Sequence, residues 1–201
     1  MKVIDLLPKG AAMRAVPLIV LWSALAMPAG AQDPPAAAAP CIECHAAADN
    51  RTSLPRLEGQ NEAYLRMTLG QFRENHRKAF PMNAVAGDLA DAEIDALAVW
   101  FAAQPWVAES LAPDPAQVAE GAGLVQRFEC AACHGPAFAG TEVIPRTAGQ
   151  NPVYLARQLR AFSKGDRYHP PVANGARMFR LAPDEIEAIA AYLAQSGAGD
   201  P

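Results

Sequence analysis

Two short motifs hold the residues of this 201-residue chain best suited to chemistry: Cys41, Cys44 and His45, and Cys130, Cys133 and His134. They use all four cysteines of the chain. On one turn of helix, residues i, i+3 and i+4 share a face, so the two thiols of each motif can form thioether bonds to the two vinyl groups of one haem. The adjacent imidazole then faces the iron. Cys-x-x-Cys-His is the attachment signature of c-type haem, and two copies imply two covalently bound haem c groups. A structural zinc site needs four ligands, whereas each motif offers two cysteines and one histidine. A thioredoxin-like redox pair needs a βαβ context that the surrounding sequence lacks.

The elements around the motifs repeat as well. The second motif follows the first by 89 residues, and the text beyond each follows suit. Leu54, Pro55 and Arg56 match Ile144, Pro145 and Arg146; Gly59, Gln60 and Asn61 match Gly149, Gln150 and Asn151; Tyr64 and Leu65 match Tyr154 and Leu155. Leu69 and Phe72 then pair with Leu159 and Phe162, the segment from Leu89 to Ile94 with that from Leu181 to Ile186, and Trp100 with Tyr192. Two copies of one domain is the economical reading: domain 1 over residues 41–112 and domain 2 over 113–201. Pro105, Pro113 and Pro115 mark a linker over 104–117, and the Ala/Pro-rich stretch 32–40 reads as a flexible lead-in.

Within each copy the apolar spacing is helical, which predicts an all-α fold. Leu65, Leu69 and Phe72 fall four and three residues apart in a helix over 62–75. A second helix over 91–103 carries Ile94, Leu97, Val99 and Phe101 and stops before Pro105. Its counterpart over 184–195 carries Ile186, Ile189 and Leu193, with Gly197 just past its end as a C-cap. Each domain is then three to five short helices, a size at which a core needs a staple or a large cofactor. Hydrophobic residues make up 51% of the chain but aromatic ones only 7%. Alanine inflates the first figure, so bulky filling must come from elsewhere, and porphyrins supply it.

Lys2, Lys9 and Arg14 precede an apolar run from Ala15 to Met27, and Ala29-Gly30-Ala31 provides the small residues a signal peptidase reads. The run is shorter than the ~20 residues needed to span a bilayer, and Pro17 interrupts it. Residues 1–31 therefore read as a signal peptide, and the mature protein as exported and periplasmic. The formal charge of −4 becomes −6 once the three basic residues and Asp5 of this leader are removed. Such a charge disfavours nucleic acid and anionic membrane as partners.

With these motifs, the chain resembles the two-domain, dihaem class I cytochromes c of the cytochrome c-four group, exported bacterial electron carriers. The resemblance covers about residues 40–196. It implies two tandem class I cytochrome c domains, each of a few short helices around one covalent haem. It also implies that the Pro55 and Pro145 carbonyls accept hydrogen bonds from the proximal His45 and His134 imidazoles. Such contacts fix the tautomer and raise ligand basicity. In the first copy Met82 precedes the segment from Leu89 to Ile94 by the interval at which this family presents its distal methionine, so Met82 is expected as the sixth ligand of haem 1. Met67, the competing thioether, sits between Tyr64 and Phe72 in a helix and reads as core filling.

The second copy departs from the family pattern. Counting on from Gln60 and Gln150 without a gap, Met82 falls on Val172, and the only methionine of that loop is Met178, three residues before Leu181. Met178 is taken as the metal ligand of haem 2, reached if the turn at Asn174 and Gly175 reshapes the loop. His169 or no protein ligand are the alternatives.

Two functions follow from this fork. With both irons six-coordinate, the protein carries single electrons between redox partners such as a membrane oxidase, a reductase or a dehydrogenase, and is not an enzyme. It then acts as a free carrier or as a docked subunit, with peripheral membrane association left open. With a labile sixth position on haem 2, it binds or converts a small molecule, fed by haem 1, and Arg160, Lys164, Arg167 and Arg177 are placed to attract an anion. No Gly-rich phosphate loop, zinc-protease helix or serine elbow competes. Asp91, Glu93 and Asp95, with Asp184, Glu185 and Glu187, stand at helix starts, where negative charge meets the positive end of the helix dipole.

Overall fold

Proline at helix starts, carboxylates in first turns and glycine just past helix ends divide this chain into short helices. The computed structural model describes residues 33–45, 54–106, 113–171 and 180–197. The expected leader over 1–31, the loop residues Val172, Asn174, Gly175 and Arg177, and Met178 lie outside the described residues.

Eight α-helices occur among the described residues: α1 (Ala39–His45), α2 (Glu62–Arg73), α3 (Met82–Gly87), α4 (Asp91–Ala103), α5 (Pro115–Arg127), α6 (Ala131–His134), α7 (Pro152–Lys164) and α8 (Pro183–Gln195). The sole β pairing among these residues is an isolated bridge between Thr141 and Ile144, so the fold is all-α as expected. None of these helices is long and apolar enough to cross a membrane.

The repeat seen in the sequence returns in the helix signals. The Glu93 carboxylate accepts the Ala90 N–H at 2.9 Å ahead of α4, and Glu185 accepts the Ala182 N–H at 2.9 Å ahead of α8. In each case an N3 carboxylate satisfies an amide at the helix start. Gly197, at φ +80°, adopts the left-handed conformation just beyond α8.

Two hydrophobic cores result. In the first, Leu65 of α2 meets Leu97, Ala98 and Phe101 of α4, together with Ala38 and Cys41. In the second, Leu124 and Val125 of α5 and Leu155 and Leu159 of α7 close around Ile186, Ile189 and Leu193 of α8. Ala148, Ala156, Ala188, Ala190 and Ala194 complete that core, confirming its dependence on small side chains. Val99 departs from its expected face: it is 44% exposed, while Ile94, Leu97 and Phe101 are buried.

Two stretches differ from the sequence reading. Ala36–Ala38 of the expected flexible lead-in form a 3-10 turn that runs on into α1, and Ala38 is fully buried. The proline-marked stretch ends in a helix rather than a linker. Asp114 caps α5 by accepting the Ala116 N–H at 2.9 Å, and Pro115 stands in its first turn, where its missing N–H costs nothing. α5 crosses α8 so closely that a Cβ on Gly121 would lie 2.1 Å from the Ala188 carbonyl oxygen.

Candidate haem sites

In the first copy, α1 carries Cys41, Cys44 and His45 on its last turn. Cys41 is buried in the first core, Cys44 is exposed, and His45 is only 5% exposed. In the second copy, Cys130 stands at the start of α6, with Cys133 and His134 in its single turn. Cys130 packs against the second core, and Cys133 is exposed. Burial pushes both inner thiols up, Cys130 to about 11. All four thiols are free, with no disulfide between them.

Both imidazoles are held in the same way. His45 donates from Nδ1 to the Pro55 carbonyl at 2.8 Å, and His134 from Nδ1 to the Pro145 carbonyl at 3.0 Å. A carbonyl oxygen can only accept, so the proton sits on Nδ1 and the Nε2 lone pair is left for a metal. Desolvation lowers the pKa of both histidines, favouring the neutral imidazole that a metal requires.

Each copy thus presents two thiols and one imidazole with its Nε2 lone pair available. Among the described residues no group of three or more His, Cys, Asp or Glu side chains is arranged to hold a bare metal ion. This donor set suits covalent haem c, which brings four equatorial nitrogens of its own and asks the protein for axial ligands.

The peptide groups that hold the imidazoles are themselves gripped from the opposite copy. Gln150 Oε1 accepts the Arg56 N–H at 2.8 Å, and its Nε2 donates to the Arg56 carbonyl at 3.0 Å. Gln60 does the same to Arg146, at 2.8 and 3.0 Å. Gln60 and Gln150 are both buried, at 4% and 3% exposure. The Arg56 N–H and the Pro55 carbonyl belong to one peptide group, so Gln150 and His45 bind its two ends. Gln60 and His134 share the peptide between Pro145 and Arg146 in the same way. The sequence aligned these glutamines without revealing what they do.

A second pair of equivalents meets beside this junction. Arg77 donates to Tyr154 Oη at 3.0 Å and to Tyr64 Oη at 3.4 Å, and Arg167 reaches Tyr64 Oη at 3.5 Å and Gln158. Desolvation raises the Tyr64 pKa, but the Arg77 and Arg167 guanidiniums outweigh it and bring the phenol down to about 8.

Met82 is the first residue of α3 and is half-buried. Its neighbour Asn83 fixes that turn, accepting the Ala79 N–H at 2.7 Å and donating to the Phe72 and Arg77 carbonyls at 2.8 and 2.7 Å. No signal in the sequence marks Asn83 for this role. Met67 lies within α2, half-buried, where a core thioether was expected.

His76 is exposed and lies 3.3 Å from the Glu74 carboxylate. Asp91 pairs with Arg73 at 2.8 Å, Asp95 with Arg66 at 2.5 Å, and Glu187 with Arg160. These acidic residues serve as helix-start and surface ion-pair groups. His169 lies next to His134, their ring centres 6.4 Å apart.

Comparison with known proteins gives the same answer. The cytochrome c family model matches residues 118–197. A thiosulfate dehydrogenase electron acceptor of Stutzerimonas stutzeri is 36% identical over 180 residues, covering 80% of this chain and 81% of that protein. A cytochrome c4 of Pseudomonas aeruginosa is 30% identical over 171 residues, covering 79% and 84%. Among solved structures, cytochrome c4 of Acidithiobacillus ferrooxidans has a TM-score of 0.67 at 28% identity, covering 79% of this chain and 99% of the other. The thiosulfate dehydrogenase of Marichromatium purpuratum has a TM-score of 0.68 at 32% identity, covering 79% of this chain and 36% of that one. The chain belongs to the cytochrome c4-like dihaem cytochromes, electron carriers that work with redox protein partners, and its two motifs correspond to two covalent haem c groups.

Proposed function

We propose that this chain is an exported carrier of single electrons, taking them from a sulfur-oxyanion-oxidising dehydrogenase of the thiosulfate dehydrogenase type and delivering them to a membrane oxidase or another redox protein. It performs no net conversion of a substrate of its own. Residues 1–31 direct export to the periplasm, and residues 41–112 and 113–201 form the two carrier domains. Two relatives known as thiosulfate dehydrogenase electron acceptors, at 36% and 32% identity, support the choice of donor.

The observation that carries this reading is the twinned arrangement of Cys41, Cys44 and His45 with Cys130, Cys133 and His134, each imidazole tied through Nδ1 to a proline carbonyl. Each cysteine pair anchors a haem by thioether bonds, and His45 and His134 are the proximal ligands. Met82 supplies the sixth ligand in the first domain, where a soft sulfur favours the reduced iron. Haem, when bound, supplies an iron that gains or loses one electron. The protein's part is to fix the axial ligands, keep water from the apolar cores and hold the two sites in one body through the Gln60 and Gln150 clamps.

The test uses the full chain made with export and haem-maturation machinery. A denaturing gel stained for haem should keep its colour after boiling. Cys130→Ala with Cys133→Ala should halve the haem per chain. Thiosulfate and a thiosulfate dehydrogenase should reduce the purified protein rapidly. Failure of that reduction removes the proposed donor, and unchanged haem content in the double variant removes the two-haem assignment.

A further inference from the structure

We infer that His169 is the second axial ligand of the haem held by Cys130, Cys133 and His134, so that this site is coordinated by two histidines while the first domain uses histidine and methionine. The inference rests on the two-haem reading above and concerns only the sixth position of the second site.

The first observation is geometric. The His134 and His169 rings are nearly parallel, at 19° between planes, with centres 6.4 Å apart. Two imidazoles bound on opposite sides of one metal through bonds of about 2 Å have ring centres about 6 Å apart. The second observation is chemical. His169 Nδ1 lies 2.6 Å from the Pro170 carbonyl oxygen, which can only accept, so the proton sits on Nδ1. His134 is held in the same tautomer by Pro145. Both rings therefore keep the Nε2 lone pair that a metal takes, the pattern by which a protein fixes a ligating imidazole. Phe162 braces the His169 ring edge-on at 4.9 Å.

The third observation comes from the repeat. Arg77, Ala79, Pro81 and Met82 of the first copy correspond to Arg167, His169, Pro171 and Val172 of the second. Residues 77–80 and 167–170 also share one alternation of half-buried and exposed positions. The second copy has thus lost a thioether at one position and gained an imidazole three residues earlier. Ala79 is half-buried between exposed neighbours, and His169 occupies that same setting. The outcome is a functional asymmetry. Two imidazoles favour the oxidised iron more than imidazole with thioether does, so the second site has the lower reduction potential and reduced protein holds its first electron in the first domain.

The experiment measures oxidised holo-protein by near-infrared magnetic circular dichroism, with haem per chain counted in parallel. The expected spectrum shows one histidine–methionine and one bis-histidine charge-transfer band of equal weight. Met178→Leu should leave both unchanged. His169→Gly should abolish the bis-histidine band, convert half of the haem to a high-spin form, and recover the band on adding imidazole. Two histidine–methionine bands in the unmodified protein, one of them removed by Met178→Leu, would overturn the inference. A high-spin second haem in the unmodified protein would overturn it too, and the spectrum decides without any variant if His169→Gly fails to fold. Fewer than two haems per chain would instead overturn the two-haem reading itself.

Discussion

Gln60 and His134 bind opposite ends of a single peptide group, although they belong to different copies of the repeat. Gln60 Oε1 accepts the Arg146 N–H at 2.8 Å, while His134 Nδ1 donates to the Pro145 carbonyl at 3.0 Å. Hydrogen bonds at both ends of one amide polarise each other, so the grip of Gln60 strengthens the carbonyl that makes the imidazole basic. Gln150 acts on His45 through the peptide between Pro55 and Arg56.

This cross-connection makes a directional prediction. Gln60→Ala should raise the reduction potential of the second haem, because a less basic imidazole stabilises the oxidised iron less, and Gln150→Ala should raise that of the first. Each should also lower stability by roughly 1–3 kcal/mol, since buried backbone groups of Arg146 or Arg56 lose their partners. Spectroelectrochemical titration of the two variants checks the pairing. A shift confined to the haem of the variant's own copy would refute the cross-connection.

Tyr64 yields a pH dependence. Its phenol, brought down to about 8 between Arg77 and Arg167, titrates near 10 in the unfolded chain. The folded state therefore releases this proton at lower pH than the unfolded state does. Its contribution to stability is lost as pH falls through about 8, and it grows as pH rises from there toward 10. Denaturation midpoints of the unmodified protein and Tyr64→Phe should diverge across that interval, with the variant falling behind. Parallel curves would exclude the two-arginine effect.

Asn83 ties three backbone groups around the turn that presents Met82. Asn83→Ala should leave haem attachment unchanged but weaken methionine ligation, with roughly 1–2 kcal/mol lost for the broken bonds. The methionine–iron charge-transfer band should then disappear at a lower temperature than in the unmodified protein. An unchanged transition would mean that this turn is held by other contacts.

Gly121 sets the approach of α5 to α8. Gly121→Ala would push a Cβ to 2.1 Å from the Ala188 carbonyl, forcing the helices apart at a cost of roughly 1–3 kcal/mol. Thermal denaturation should show the loss. Gly123→Ala, on the same helix with nothing within 4 Å of its added Cβ, is the control and should be neutral or stabilising.

Much of this arrangement was legible from residue type and spacing. The Cys-x-x-Cys-His motifs and helices α2, α4 and α8 rest on local signals, namely a fixed motif, apolar periodicity and first-turn carboxylates, whereas the proline carbonyls followed only from the family resemblance. α5 was missed because Gly121 and Gly123 interrupt its apolar pattern and its prolines look like a linker, when one of them stands in its first turn. The roles of Gln60, Gln150 and Tyr64 were hidden for another reason. The backbone that Gln60 and Gln150 bind lies 86 and 94 residues away, and Arg167, one of the two arginines at Tyr64, lies 103 away, and a buried glutamine binding distant backbone has no local signature. Asn83 shows the limit at short range, since its three contacts depend on how the loop from Arg77 to Met82 folds back on α2.

A two-haem electron carrier with both sites closed by protein ligands has two one-electron centres and no open iron. Anaerobic titration of the oxidised holo-protein with a one-electron reductant, followed by carbon monoxide, tests both properties most directly. Two electrons should be taken up per chain, and the reduced spectrum should not change on adding the gas. Uptake of a single electron, or a carbon monoxide shift in half of the haem absorbance, would contradict this assignment.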